Sequence, residues 1–232
     1  MVNTTKSKKN NTEEVNLSDL STNIATILEK LDNLETKLNT VIEENKTLKT
    51  ENSNLKMKVL EFERSINSLE QRSRYINVEI NDVPVVKGEE VSEIIKKIGH
   101  SLGIEHPEKD FQLGHRVPTR NPNKIKPIIV RMTDTKARDK WIKLSKEKKI
   151  TTRHINPEST APARNIYLQC HLTPYYKNIL FQTKKWAKNH HFKFIWVRDC
   201  QIYLKKDDQN TSKTFRIREI DDLKMVEGQP RP

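Results

Sequence analysis

The feature that most constrains this chain is a heptad repeat. Setting Leu17 at position a puts Leu17, Ile24, Leu31, Leu38, Asn45, Asn52, Val59 and Ile66 on a, and Leu20, Ile27, Leu34, Val41, Leu48, Leu55, Phe62 and Leu69 on d. Fourteen of those sixteen positions are apolar, and neither Pro nor Gly precedes Pro84. An apolar residue about every 3.5 positions, sustained this long, demands a supercoiled helical partner, because one helix cannot bury the stripe alone. A coiled coil over 17–73 follows, on the order of 80 Å long at about 1.5 Å per residue.

In a parallel assembly, position g of one helix faces position e of the next heptad on its neighbour. Those pairs are Lys30–Glu35, Lys37–Ile42, Glu44–Lys49, Glu51–Lys56, Lys58–Glu63 and Ser65–Glu70. Four are opposite in sign and none repels, which favours a parallel homo-oligomer. Each exposed pair contributes only about 0–1 kcal/mol, so the pairs select register rather than supply stability. The apolar seam is expected to run through Leu31, Leu34, Leu38 and Leu55. Asn45 and Asn52, on consecutive a positions, fix register at a cost in stability and weaken the middle of the rod. Dimer and trimer both fit this pattern.

Of 232 residues, 34% are hydrophobic and 32% charged, too polar a balance for a chain that is globular throughout. The formal net charge is +12, from 43 Lys and Arg against 31 Asp and Glu. Residues 1–73 hold 11 basic and 12 acidic residues, so the whole excess, +13, lies beyond them. Such a balance implies a polyanionic partner, nucleic acid or an anionic membrane surface. No stretch nears the roughly 18–20 apolar residues of a membrane span, and membrane insertion is not expected. Cys170 and Cys200 are too few for a disulfide framework and suit a reducing compartment, cytoplasmic or nuclear. Residues 1–16 and 226–232 read as disordered tails.

From Tyr75 the periodicity changes. Tyr75 to Asp82 alternates like a strand, and Glu89 to Leu102 reads as a helix ended by Gly103. A second strand spans Asp110 to Val117, a third Ile128 to Met132, and a helix Thr133 to Lys148. A last strand near 150–156 would complete β-α-β-β-α-β over 74–156, the ferredoxin-like order of RNA-recognition (RRM-like) modules. Residues 157–164 look like a linker. Residues 165–225 then form a small domain: a strand at 164–169, a helix from Pro174, a hairpin about Arg198-Asp199-Cys200, a strand at 215–218 and a short terminal helix. The expected class is α+β: a long N-terminal parallel coiled coil, an RRM-like domain and a small α+β C-terminal domain.

Basic residues crowd the first of these domains. His115, Arg116, Arg120, Lys124, Lys126 and Arg131 come from two strands and their loop, Arg138, Lys143 and Lys146 from the next helix, and Arg153 from just beyond it. Arg116 and Arg131 are expected to share one surface of the sheet. Guanidinium groups suit phosphate oxygens, and a basic stripe supplies most non-specific affinity for nucleic acid. The third strand holds no aromatic residue, which leaves Tyr75 as the stacking candidate and points to backbone binding with little sequence preference. Trp186, Trp196, Phe192 and Phe194 read as core of the last domain. Cys170, His171, His190, His191 and Cys200 fit no tight paired-ligand spacing, so no metal is expected. No nucleophile elbow, P-loop or acidic cluster stands out, and neither an enzyme nor a cofactor is expected.

Four stretches carry a resemblance over residues 75–225: Ile76 to Pro84, Leu113-Gly-His-Arg-Val-Pro118, Pro127-Ile-Ile-Val-Arg131, and Lys193 to Lys206 with Phe215-Arg-Ile-Arg218 and Asp222-Leu223. The chain resembles the RNA-binding protein of the first open reading frame of LINE-type retrotransposons. It also resembles the baculovirus few-polyhedra (FP) protein and its C-terminal domain. The retrotransposon resemblance implies a trimer that coats RNA as a nucleic-acid chaperone, with Arg116 and Arg131 at matching basic positions and Lys184 and Lys185 as further ones. Lys30-Leu-Asp-Asn-Leu-Glu35 resembles that group's trimer-favouring hexad with Lys in place of Arg, so a trimer is favoured while a dimer stays open. The FP resemblance implies a viral role linked to occlusion and transcript levels. The expected function is oligomeric, largely sequence-independent binding of single-stranded RNA, with DNA as the other candidate, for a virus or mobile element. The alternative is a coiled-coil scaffold acting through protein partners.

Overall fold

The computed structural model describes residues 17–118, 124–209, 212–226 and 228, and the chain divides into two compact units, Met1–Phe62 and Glu63–Pro232. The N-terminal tail expected at 1–16 and most of the C-terminal one lie outside the described residues. One helix, α1 (Leu17–Ser73), takes up the whole heptad stretch. With neither Gly nor Pro to break it, and with Leu, Glu and Lys abundant, helix propensity is favourable throughout. Its apolar stripe is uncovered within one chain: Leu31, Leu34, Leu38 and Leu55 are each more than half exposed. The Asn45 amide donates back to the Val41 carbonyl at 3.2 Å.

The second unit holds two antiparallel sheets. The first is built from β1 (Asn77–Asn81), α2 (Val91–Ser101), β2 (Phe111–Arg116), β3 (Ile128–Met132), α3 (Thr135–Lys148), the short α4 (Thr152–Ile155) and β4 (Tyr167–Cys170). Its strand order is β2-β3-β1-β4. Alternation turns Val78, Ile80, Ile128, Val130, Met132 and Leu168 to one side, where Ile95, Ile98, Leu102 and Trp141 of the helices and their ends complete the core. Each such side chain contributes about 1.5–3 kcal/mol by burial. Asp134 caps α3 by accepting the Ala137 N–H at 2.8 Å, and Trp141 donates its indole N–H to Asp110 at 2.8 Å. At Gly114, where β2 meets α2, an added Cβ would meet the end methyl of Ile95, which would have to move aside.

The final strand is not where the sequence suggests. Residues 150–156 form a buried Ile150, one isolated bridge from Thr151 to Asn165, and the helical turn α4. The β-branched run Ile150-Thr-Thr invites a strand, but Thr151 and His154 cap one another as at a helix start. Completion of the sheet falls to β4, whose Tyr167 to Cys170 pair with Asn81 to Val78. The stretch 157–164 therefore runs between α4 and β4, inside this sheet domain.

The second sheet follows α5 (Pro174–Asn189), with β5 (Phe194–Arg198), β6 (Gln201–Lys205) and β7 (Thr214–Ile217) in that spatial order, and closes with α6 (Asp222–Val226). Thr173 caps α5 by accepting the Tyr176 N–H at 3.3 Å, and Pro174 takes the first helical position, which needs no N–H. Ile179, Ala187, Ile202, Leu204, Ile217 and Leu223 form the core between α5, the sheet and α6. The β5–β6 turn places Asp199 and Cys200 at φ of 52° and 55°. That left-handed conformation costs an L-residue roughly 1–2 kcal/mol, which an Asn-Gly turn would largely avoid.

Arg138 joins the two sheet domains. Completely buried, it donates to the Tyr75 carbonyl at 2.6 Å, to Asp139 at 2.6 Å and to Asp199 of the β5–β6 turn at 2.9 Å. Burial opposes its charge, and the Asp139 carboxylate outweighs that, raising its pKa above the ordinary value. Gln71, near the end of α1, adds a second tie, donating to the His171 carbonyl at 3.0 Å and accepting the Thr173 N–H at 2.9 Å.

Candidate functional site

Two of the basic residues expected to meet a ligand are consumed inside the molecule. Arg116 pairs with Ile128 in the sheet and Arg131 with Leu113 and Asn77, so alternation sends the two arginines to opposite faces. The expected shared surface does not form. Arg116 turns to the helix side and donates to the carbonyls of Val83, Lys126 and Pro84 at 2.9, 2.7 and 2.9 Å, and to both carboxylate oxygens of Glu89. A guanidinium has five N–H groups, and five bonds use them all, leaving none for phosphate. Arg116 in turn holds the Glu89 carboxyl below its usual pKa. Arg138 is spent in the domain joint, and its guanidinium lies 4.5 Å from the ring centroid of Tyr75, covering the expected stacking residue.

The remaining candidates scatter. His115 and Arg131 are exposed on the outer face of the first sheet, where Arg131 donates to Gln112 at 3.0 Å. The middle of that face is Glu79, buried and paired with Lys177 of α5 at 2.7 Å. Burial first, then Arg74, Lys177 and His115, push the nearby His171 down to about 4, so it adds no charge at neutral pH. Lys124 and Lys126 border a separate hollow of about 940 Å³ that Glu89, Glu90 and Glu93 also line. Lys143, Arg153 and Lys185 are exposed on α3, α4 and α5. Arg120 lies outside the described residues.

One cleft, of about 610 Å³, gathers cations without acids. Lys146 and Lys149 reach it from the C-terminal end of α3, Lys184 from α5, Tyr167 from β4 and Trp196 from β5. Both strands are edge strands of their sheets. No Asp or Glu is among the described residues that line it. Trp196 is not core, contrary to expectation: it stacks on Tyr203 across the β5–β6 pair, with ring centroids 5.5 Å apart and planes at 17°. Strand register places Phe194, Arg198, Lys205 and Arg216 on the same outer face, while Ile195, Val197, Ile202 and Leu204 turn inward. Trp186 and Phe192 do pack against the core. Lysines at a groove suit phosphates, and aromatic faces suit unpaired bases. Sequence reasoning finds Lys146 and Lys184 but misses Tyr167, Tyr203 and Arg216 as partners, although period-two alternation about the hairpin carries the signal for the last two.

These features define an α+β protein in which a long helix precedes two antiparallel sheets that together wall a basic, aromatic cleft. Residues 75–168 match baculovirus FP protein domain 1, and residues 173–227 match baculovirus FP protein domain 2. Residues 75–227 of the chain belong to the baculovirus FP protein family. The two matches leave residues 169–172 between them, where β4 ends and α5 has yet to begin. They carry the FP side of the resemblance; neither carries the retrotransposon side. No curated protein matches the chain significantly. No helix among the described residues is long and apolar enough to cross a membrane.

Proposed function

We propose that this FP-type protein binds single-stranded nucleic acid, RNA first, through the cleft between its two sheets, and does so as a parallel coiled-coil oligomer. The observation that carries the reading is the convergence of Lys146, Lys149 and Lys184 with Tyr167 and Trp196 in a cleft with no carboxylate in its described lining. The strand order β2-β3-β1-β4 on a β-α-β-β-α-β path supports an RRM-like first domain. Lysines grip phosphates without reading sequence, so sequence preference is weak. The uncovered heptad stripe and four attractive g–e pairs support self-association, with a trimer favoured. Several clefts on one strand raise avidity by about 10²–10⁴ and suit a nucleic-acid chaperone. The role is binding, with no catalysis and no cofactor.

Fluorescence anisotropy of the full chain with a labelled unstructured RNA, over a salt series, tests this. Affinity should fall steeply with salt, and Lys146→Glu with Lys184→Glu should weaken binding at least about tenfold and flatten the salt slope by about two. A folded double variant that binds like wild type overturns the assigned cleft. Absence of binding at any salt supports the scaffold reading instead.

A further inference from the structure

The chain has two cysteines, and the fold brings them together. Cys170 ends β4 at the edge of the first sheet, and Cys200 is the second residue of the β5–β6 turn. Both are buried, at 8% and 3% exposure, in one cluster with Leu172. The Cys200 thiol donates to the Tyr75 carbonyl at 4.0 Å, and the Arg138 guanidinium donates to that same carbonyl at 2.6 Å, which puts its charge beside the pair. Cys200 holds this position in the left-handed conformation, where glycine would sit without strain. Its neighbour Asp199 reaches across to Arg138 from the same turn. Each thiol also borders a hollow: Cys170 lines the basic cleft, and Cys200 lines a second one of about 490 Å³.

We propose that Cys170 and Cys200 are an oxidisable dithiol site, at which hydrogen peroxide forms a disulfide between the two sheet domains. Cys170 is the attacking group. The neighbouring Cys200, with the positive charge of Arg138 adding to it, holds the Cys170 thiol below the usual range, and the same contact pushes the Cys200 thiol up. The Cys170 thiolate attacks one peroxide oxygen, the O–O bond breaks, and the departing hydroxide takes up a proton as water. Cys170 is left as a sulfenic acid. The Cys200 sulfur then attacks the Cys170 sulfur, the S–O bond breaks, and the hydroxyl leaves with the Cys200 proton as a second water. Two thiols are oxidised to one disulfide, and one peroxide is reduced to two waters. The new bond ties the end of β4 to the β5–β6 turn, whichever ligand the cleft takes.

The full chain, reduced and then treated with hydrogen peroxide, should be denatured, alkylated with N-ethylmaleimide and weighed intact without reductant. The expected product is a single chain that has lost both maleimide adducts together and two hydrogens, and that dithiothreitol restores. Cys200→Ser should stop at a sulfenic acid on Cys170 that dimedone traps, and Cys170→Ser should keep its Cys200 thiol. Wild-type chain with both thiols still alkylated overturns the proposal, as does a crosslink only between chains. Oxidation of Cys200 at the wild-type rate in Cys170→Ser overturns it too. The wild-type measurement decides even where a variant fails to fold.

Discussion

The two sheets turn chemically opposite faces outward. The first shows Asn77, a buried Glu79 neutralised by Lys177, and a buried Ile129, with His115 and Arg131 at its margin. The second shows Phe194, Trp196 and Tyr203 among Arg198, Lys205 and Arg216. Period-two alternation builds both, yet only the second gathers several cations and aromatic rings on one outer face where a strand of nucleic acid could use them; the first adds the single ring of Tyr167 from its edge strand. A basic residue counts toward a site only when its donors end in solvent, and Arg116 and Arg138 fail that test while Lys146 and Lys184 pass it.

The largest expected effect concerns a residue that the comparison removes from the binding surface. Arg116→Gln strands the nearly buried Glu89 without its counter-charge and should lower unfolding free energy by about 3–5 kcal/mol in urea. RNA affinity of the protein that remains folded should not change. If affinity falls while stability holds, the placement of Arg116 is wrong. Next, reversing Lys146, Lys149 and Lys184 together to Glu should weaken RNA binding by roughly 100-fold or more at about 150 mM salt. The pair His115→Ala and Arg131→Glu on the other sheet should cost less than about threefold. Equal losses in anisotropy titrations would erase the distinction between the faces.

Trp196→Leu separates stacking from charge. Losing one stacked base costs about 1–3 kcal/mol, so affinity should drop about five- to tenfold or more while the salt slope stays as in wild type. A changed slope would place Trp196 outside the base-contacting set. The last effect is a pH dependence from His171, whose pKa falls to about 4 in the folded chain through burial and nearby positive charge. Between about 6.5, its unfolded value, and about 4, the unfolded chain takes up a proton that the folded chain refuses. Stability should therefore fall as pH drops through that window, and His171→Gln should flatten the fall in urea midpoints.

Much of this was legible in the sequence, for physical reasons. Heptads from Leu17 to Leu69 announce a helix because their period admits nothing else, and the core strands announce themselves by alternation. The last strand of the first sheet was not legible, because Ile150-Thr-Thr has strand-like residues while a local Thr151–His154 cap decides otherwise. Pairing register was hidden as well. One residue of offset sends Arg116 inward and Arg131 outward, and neither composition nor spacing reports which carbonyls will gather around a guanidinium. The cleft was half legible: Lys146 and Lys184 stand out as charges, but Tyr167 looked like part of another domain and Trp196 like core. Only the assembled sheets show that their edge strands wall one groove.

Ultraviolet crosslinking of the full chain to a single-stranded RNA, with adducts mapped by peptide mass spectrometry, tests the central claim most directly. Adducts should concentrate on the peptides that contain Tyr167 and Trp196, and disappear with the Lys146, Lys149 and Lys184 reversals. Adducts confined to the outer face of the first sheet, about His115 and Arg131, would contradict the account.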